Sequence, residues 1–260
     1  DFDDPEMRER AWDKIKTERP LLIVGSPMCT AFSAWQNINN LKRDAVTVNA
    51  EFKRALVHLN CCMEIYDFQR RNRRYSLHEH PQSASSWGVE EVKALKMREG
   101  VEFVVGHQCQ YGAVSEDGHP IKKPTGFLTN SPAIARSLSK VCSGRFGQCS
   151  RPEGGKHIEC KGRVARLAAL YPVKLRKAIL SGFREQLKLD GIYSPGQVGM
   201  HEGVLDQQFA MIVENEKVEQ RATTTGIDGA ILKFDDGLGP FFDDHTKQPL
   251  PTDLTKLARR

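Results

Sequence analysis

No apolar run in this 260-residue chain approaches the ~20 residues a helix needs to cross a bilayer. The longest, Leu21–Val24, has the length of a strand, so no membrane partner is expected. The chain has no initiator Met and no basic or apolar leader. It opens with DFDDPEMRER, an acidic and polar stretch that does not read as a signal peptide and is expected to start inside something longer. There is no Cys-x-x-Cys pair, and the seven cysteines are an odd number scattered over a long chain. That argues against a disulfide framework and for reduced thiols in an intracellular setting. No glycine-rich phosphate loop follows a first strand, and no internal repeat is visible.

What is present is a chain of globular composition, 39% hydrophobic and 27% charged, with a net charge of +5 that permits a polyanion partner without demanding one. The charge is uneven. Basic residues gather in the middle, in RRNRR (70–74), at Lys122-Lys123 and over residues 161–177, while acidic pairs mark the two ends. A phosphate backbone would favour that middle, although solvated helix faces explain any single run equally well.

Asp4-Pro5 has the form of an N-cap followed by Pro at the first helical position, predicting a helix to about Lys16. Phe52, Leu56, Leu59, Met63 and Tyr66 share one face of a helix over about 49–71, with Cys61 and Cys62 in its core. Strands are predicted at 21–24, 75–81, about 101–112 and 125–130, with a helix at 89–98 between the second and third. A further helix follows Tyr171-Pro172, with Leu175, Ile179 and Phe183 on one face. Alternating strands and helices predict an α/β fold with a mostly parallel sheet. Residues 1 to about 188 form that domain, and 189–260 read as a polar, loosely structured linker towards a downstream module.

Parallel strands place their carboxyl ends on one edge, where ligands bind. Cys29 follows the first strand, Glu79 and His80 end the second, and Gln108 and Gln110 follow the third, so these residues are expected to meet in one cleft. Cys29 is then a nucleophile or a small buried thiol, since free Cys is among the most buried residue types. A salt bridge to Arg73 or Arg74 would account for Glu79 without function. His78 and His80 are read as facing opposite sides, hence poor joint metal ligands. Trp12, Trp35 and Trp87 could stack on a base but are expected to pack. Cys142, Cys149, His157 and Cys160 have the residue types of a structural zinc site. Their spacing is irregular, with six, seven and two intervening residues, so loop thiols are preferred to a metal.

The segment GSPMCTAFS (25–33) resembles the nucleophile loop of cytosine-5 DNA methyltransferases, and HEHP (78–81) is similar to their Glu-Asn-Val element. HQCQYG (107–112) with KKPTGFLTN (122–130) resembles the Tyr-Gly, Lys-Pro-Thr and Thr-Asn pattern of phage-like members. The Tyr-Pro helix is similar to one that ends such domains. In combination with CSRPEGG (149–155) and the final residues 242–260, the motifs also resemble a methyltransferase-like segment of copia-type retrotransposon polyproteins.

The resemblance implies a Rossmann-related, methyltransferase-like fold and methyl transfer from S-adenosylmethionine to carbon 5 of cytosine. Cys29 would add to ring carbon 6, and Glu79 would act as the acid at ring nitrogen 3. Pro27, Thr30, Ser33 and His80 would support the loop or line the pocket. Gln108 or Gln110 would contact the base or its phosphate, and Lys122 and Lys123 would hold the DNA backbone. DNA and other parts of the same polyprotein are the implied partners, with a nuclear location. Met28 stands where Pro normally precedes the cysteine, and His80 replaces the Asn. The glycine-rich half that would bind the methyl donor is expected upstream or lost, with Asp1 or Asp3 as its remnant. Two other functions stay open: a non-catalytic nucleic-acid-binding or interaction segment, and a thiol hydrolase pairing Cys29 with His78 or His80.

Overall fold

The computed structural model describes residues 2–33, 36, 43–160 and 162–192. Asp1, Trp35 and nearly all of the expected linker lie outside the described residues. The domain boundary expected near 188 falls at the end of the last described helix.

Helix α1 (Pro5–Glu18) starts as its cap predicts, the Asp4 carboxylate accepting from the Glu6 amide at 2.9 Å. Strand β1 (Leu22–Gly25) leads through the Cys29 loop to helix α2 (Ala45–Arg71), capped by Asp44, which accepts from the Thr47 amide at 2.8 Å. Then come β2 (Tyr75–Pro81), α3 (Glu90–Lys96), β3 (Glu102–His107) and β4 (Pro124–Thr129). The Ser131-Pro132 cap starts α4 (Pro132–Leu138), which the hydrophobic pattern alone does not announce. Short α5 (Gly162–Leu167) and amphipathic α6 (Val173–Leu189) complete the described chain.

The sheet order is β1-β2-β4-β3, and it corrects the expectation of a mostly parallel sheet. Only β1 and β2 pair in parallel; β4 runs antiparallel to both β2 and β3. The physical reason is the connection. Between β3 and β4 lies no crossover helix, only a 3-10 turn and a bridged loop, so the chain returns beside the strand it left. The helical β2-to-β3 crossover leaves the slot that β4 fills. Because β3 is antiparallel to a strand that is antiparallel to β2, the strands β1, β2 and β3 still share one direction. Their carboxyl ends and the start of β4 therefore lie on one edge.

Helices cover both faces. Leu59, Met63, Ile65, Tyr66, Val92, Leu95 and Leu128 fill the layer under α2 and α3. Leu77, Phe127, Ile134, Leu138, Leu175 and Ile179 fill the layer under α4 and α6. Gly25 lets β1 approach α2. A Cβ there would stand 1.8 Å from the Tyr66 hydroxyl oxygen and 2.9 Å from the ring carbon that bears it. Gly25→Ala should therefore cost about 1–3 kcal/mol by overpacking. Tyr66→Phe in the same chain should restore part of it, which paired urea titrations measure; equal losses with and without the hydroxyl would disprove the clash.

Candidate functional site

The shared edge brings together much of what the sequence singles out, but with different pairings. The Cys29 loop is pinned to the sheet at three points. Pro27 is buried and its carbonyl accepts from His80 Nε2 at 2.9 Å; the Phe32 ring is 1% exposed in the core; the Phe32 carbonyl accepts from Ser85 Oγ at 3.2 Å. Thus the His80 ring holds the loop through the Pro27 carbonyl, while Met28 beside the cysteine is exposed. Thr30 is exposed and opens the 3-10 turn Thr30–Phe32, with the Ser33 amide on its carbonyl at 3.2 Å.

Glu79 is 5% exposed, and its partners come from three other segments. Ser26 Oγ donates to Oε2 and lies 2.8 Å from the Tyr171 hydroxyl. Lys123 Nζ stands 3.7 Å from Oε1, which has no hydrogen-bond partner, and donates to the Ala168 carbonyl at 3.1 Å. Arg74 is engaged elsewhere, with Nε on Gln69 Oε1 at 2.7 Å, so Lys123 takes the role expected of Arg73 or Arg74. Burial pushes the Cys29 thiol above its ordinary value and the Glu79 charge pushes it further, while Lys123 pulls it down. The thiol therefore sits within the fields of both charged groups.

Several expectations are corrected. His78 and His80 face the same side, their ring centroids 4.7 Å apart, because the side-chain period of a strand is two. The Glu79 side chain takes the other face. His80 donates from Nε2 to Pro27, so its Nδ1, 2.6 Å from Ser86 Oγ, is the acceptor. That neutral ring has no free nitrogen for Cys29, and buried His78 packs against Tyr66 and Trp87. The thiol-hydrolase alternative therefore loses His80 as its base. Lys123 turns inward to Glu79 instead of outward to a DNA backbone, whereas Lys122 is half-buried beside His107.

Gln108 is buried and donates to Thr125 Oγ1 at 3.1 Å, while its own Oε1 has no hydrogen-bond partner. The Gln110 amide lies over sulfur, 3.6 Å from Cys109 Sγ and 3.7 Å from Cys149 Sγ. Trp12 packs edge-on against Phe68, and Trp87 donates to the Pro81 carbonyl at 2.8 Å; neither is set to stack on a base. In the basic run at 70–74, Arg71 and Arg73 are exposed. Arg70 and Arg71 pair with Asp67 and Arg74 is buried.

A second cluster forms behind this edge. Cys142, Cys149 and His157 come together as the residue types suggested, but Cys109 joins them in place of Cys160. Cys160 packs instead with Ala113, Ile121 and Ala168. Cys109 was missed because 32 residues separate it from Cys142, a gap that carries no ligand-spacing signal. Ser26 and Tyr171 were also missed as site residues. Both lie inside motifs that were read for their neighbours: the Gly-Ser-Pro turn and the Tyr-Pro helix start.

No protein-family model, no curated protein and no solved structure matches this chain.

Proposed function

We propose that this chain carries the base-holding edge of a cytosine-5 DNA methyltransferase-like domain of Rossmann-related topology. A cytosine drawn out of DNA would lie between Cys29 and Glu79. The observation that carries this reading is the buried Glu79 Oε1. A carboxylate oxygen with no hydrogen bond at a sheet edge costs free energy unless a ligand completes it, and a reactive residue type, Cys29, stands in its field. Three strands ending on one edge between two helical layers support the topology.

In the chemistry this reading assigns, the Cys29 thiolate forms a bond to ring carbon 6. The electrons of the 5,6 double bond shift through the ring to nitrogen 3, which takes the proton that the Cys29 thiol gives up, relayed by the Glu79 carboxylate. The resulting enamine carries its nucleophilic carbon at position 5. Without an electrophile the addition reverses: nitrogen 3 returns its proton, the bond from sulfur to carbon 6 breaks, and the base is released. S-adenosylmethionine would supply a methyl group to carbon 5. The described residues do not fit it: β1 is followed by the Cys29 loop, and no described strand leads through a glycine-rich turn into a helix.

The full chain is expected to form a covalent adduct with an oligonucleotide carrying 2-pyrimidinone in place of cytosine. Cys29→Ala should abolish it and Glu79→Gln should slow it by about 10²–10⁴-fold. An adduct that survives in Cys29→Ala, or none in the wild-type chain, refutes the reading. One observation favours a second reading, a non-catalytic nucleic-acid-binding segment: burial and Glu79 hold the Cys29 thiol neutral at ordinary pH. It predicts DNA binding without any adduct and equal affinity in Cys29→Ala.

A further inference from the structure

The loop that follows α4 has no apolar core of its own, yet it buries two cysteines against a third. Cys109, Cys142 and Cys149 form a separate buried cluster with no other apolar side chain in it. Ordinary hydrophobic packing does not explain three thiols gathered alone. A disulfide is not formed either, since Cys142 Sγ and Cys149 Sγ are 3.9 Å apart against about 2.05 Å for a bond.

The spacing of the donor atoms matches a different arrangement. A tetrahedron with zinc–sulfur bonds of about 2.3 Å and zinc–nitrogen bonds of about 2.0–2.1 Å has edges of about 3.8 Å between sulfurs and about 3.6 Å between sulfur and nitrogen. The Cys142–Cys149 sulfur pair is 3.9 Å apart, and Cys142 Sγ lies 3.6 Å from His157 Nε2. All four donor atoms of Cys109, Cys142, Cys149 and His157 lie within 4.8 Å of one another.

The backbone holds these positions in advance. Gly144 permits a tight turn, because a Cβ there would meet the Gln148 carbonyl oxygen at 1.9 Å. Gln148 and Lys156 form an antiparallel bridge, flanked by Cys149 N to Gly155 O at 2.8 Å and His157 N to Gly147 O at 2.7 Å. Cys109 arrives from the 3-10 turn at the end of β3. Around the sulfurs stand the donors a thiolate set needs. Gln110 Nε2 reaches two of them, and the Ser150 amide and hydroxyl lie 3.4 and 3.5 Å from Cys142 Sγ. Such outer-shell hydrogen bonds spread the net negative charge that three thiolates leave on a zinc ion.

We propose that Cys109, Cys142, Cys149 and His157 bind one structural zinc ion. Four protein ligands leave no open position, so the metal would act as a staple and not as a Lewis acid. It would clamp residues 142–157 onto the turn after β3. That turn holds the residue that leads into β4, since the Gln108 amide donates to the Lys123 carbonyl at 3.0 Å. The proposal is independent of any chemistry at Cys29.

The full chain, prepared reduced and given zinc, is expected to hold about one zinc per chain by elemental analysis. Cobalt in its place should give the intense visible bands of a tetrahedral thiolate site. Cys109→Ser and Cys142→Ser should lose both signals, while Cys160→Ala keeps them. Variants that fail to fold are circumvented in the wild-type chain. There, zinc should shield Cys109, Cys142 and Cys149 from iodoacetamide, a chelator should expose them and lower the unfolding midpoint, and Cys61 and Cys62 should not change in step. No bound zinc, equal loss in Cys160→Ala, or a Cys142–Cys149 disulfide in the reduced preparation overturns the assignment.

Discussion

Replacing Glu79 by alanine is expected to remove about 3–5 kcal/mol of folding stability. The carboxylate is buried, and three groups depend on it: the Ser26 hydroxyl, Tyr171 beside it, and Lys123, whose side chain is only 19% exposed. Alanine leaves that ammonium without its counter-charge and the Ser26 donor without its acceptor. Glutamine keeps an oxygen for Ser26 and should cost less, about 1–3 kcal/mol. The two variants also separate stability from reactivity. Removing the Glu79 charge lowers the pKa of the Cys29 thiol, because that charge raises it. Lys123→Met acts in the opposite direction. Urea titrations read the first effect; the pH dependence of Cys29 alkylation, followed by mass spectrometry, reads the second. If glutamine and methionine move the thiol in the same direction, Cys29 does not sit between the two charges.

The second large effect concerns acid. His78 is fully buried, and neither ring nitrogen has a hydrogen-bond partner. Burial first, and the neighbouring His80 second, hold its pKa well below the ordinary 6.5. His80 is lowered as well, by burial, against opposing contributions from Pro27 and Glu79. The sign follows from proton counting. Below the ordinary value the unfolded chain binds protons that the folded chain refuses, so stability is intact above that pH and is lost as pH falls. Each such histidine contributes a slope of up to about 1.4 kcal/mol per pH unit. His78→Leu should remove one histidine's share of the slope between about pH 6.5 and pH 5. At neutral pH it should leave stability equal or higher, because an unpartnered buried polar ring is replaced by an apolar one. Parallel pH profiles for the wild type and His78→Leu would show that the ring is hydrated or paired in solution.

The elements themselves were largely written in the sequence. Asp4-Pro5 starts α1, the three- and four-residue apolar spacing produces α2, and the strand-forming runs become β1 to β4 within a few residues. These are local signals, since caps and periodicity act over one or two turns of chain. The shared edge was legible too, because a helix between strands forces β1, β2 and β3 to run the same way. That His78 and His80 share a face also follows from the pleat, and the opposite expectation was a misreading of a local rule.

Tertiary structure alone decided the partners. β4 entered the sheet antiparallel between β2 and β3, which turned Lys123 towards Glu79. Tyr171 and Ser26, 145 residues apart in sequence, met beside the same carboxylate. Cys109 displaced Cys160 from the thiol cluster. Each of these pairings joins residues far apart along the chain, and their contact depends on how whole layers pack. Spacing in the sequence fixes which side chains a segment offers; packing across the sheet selects which of them meet.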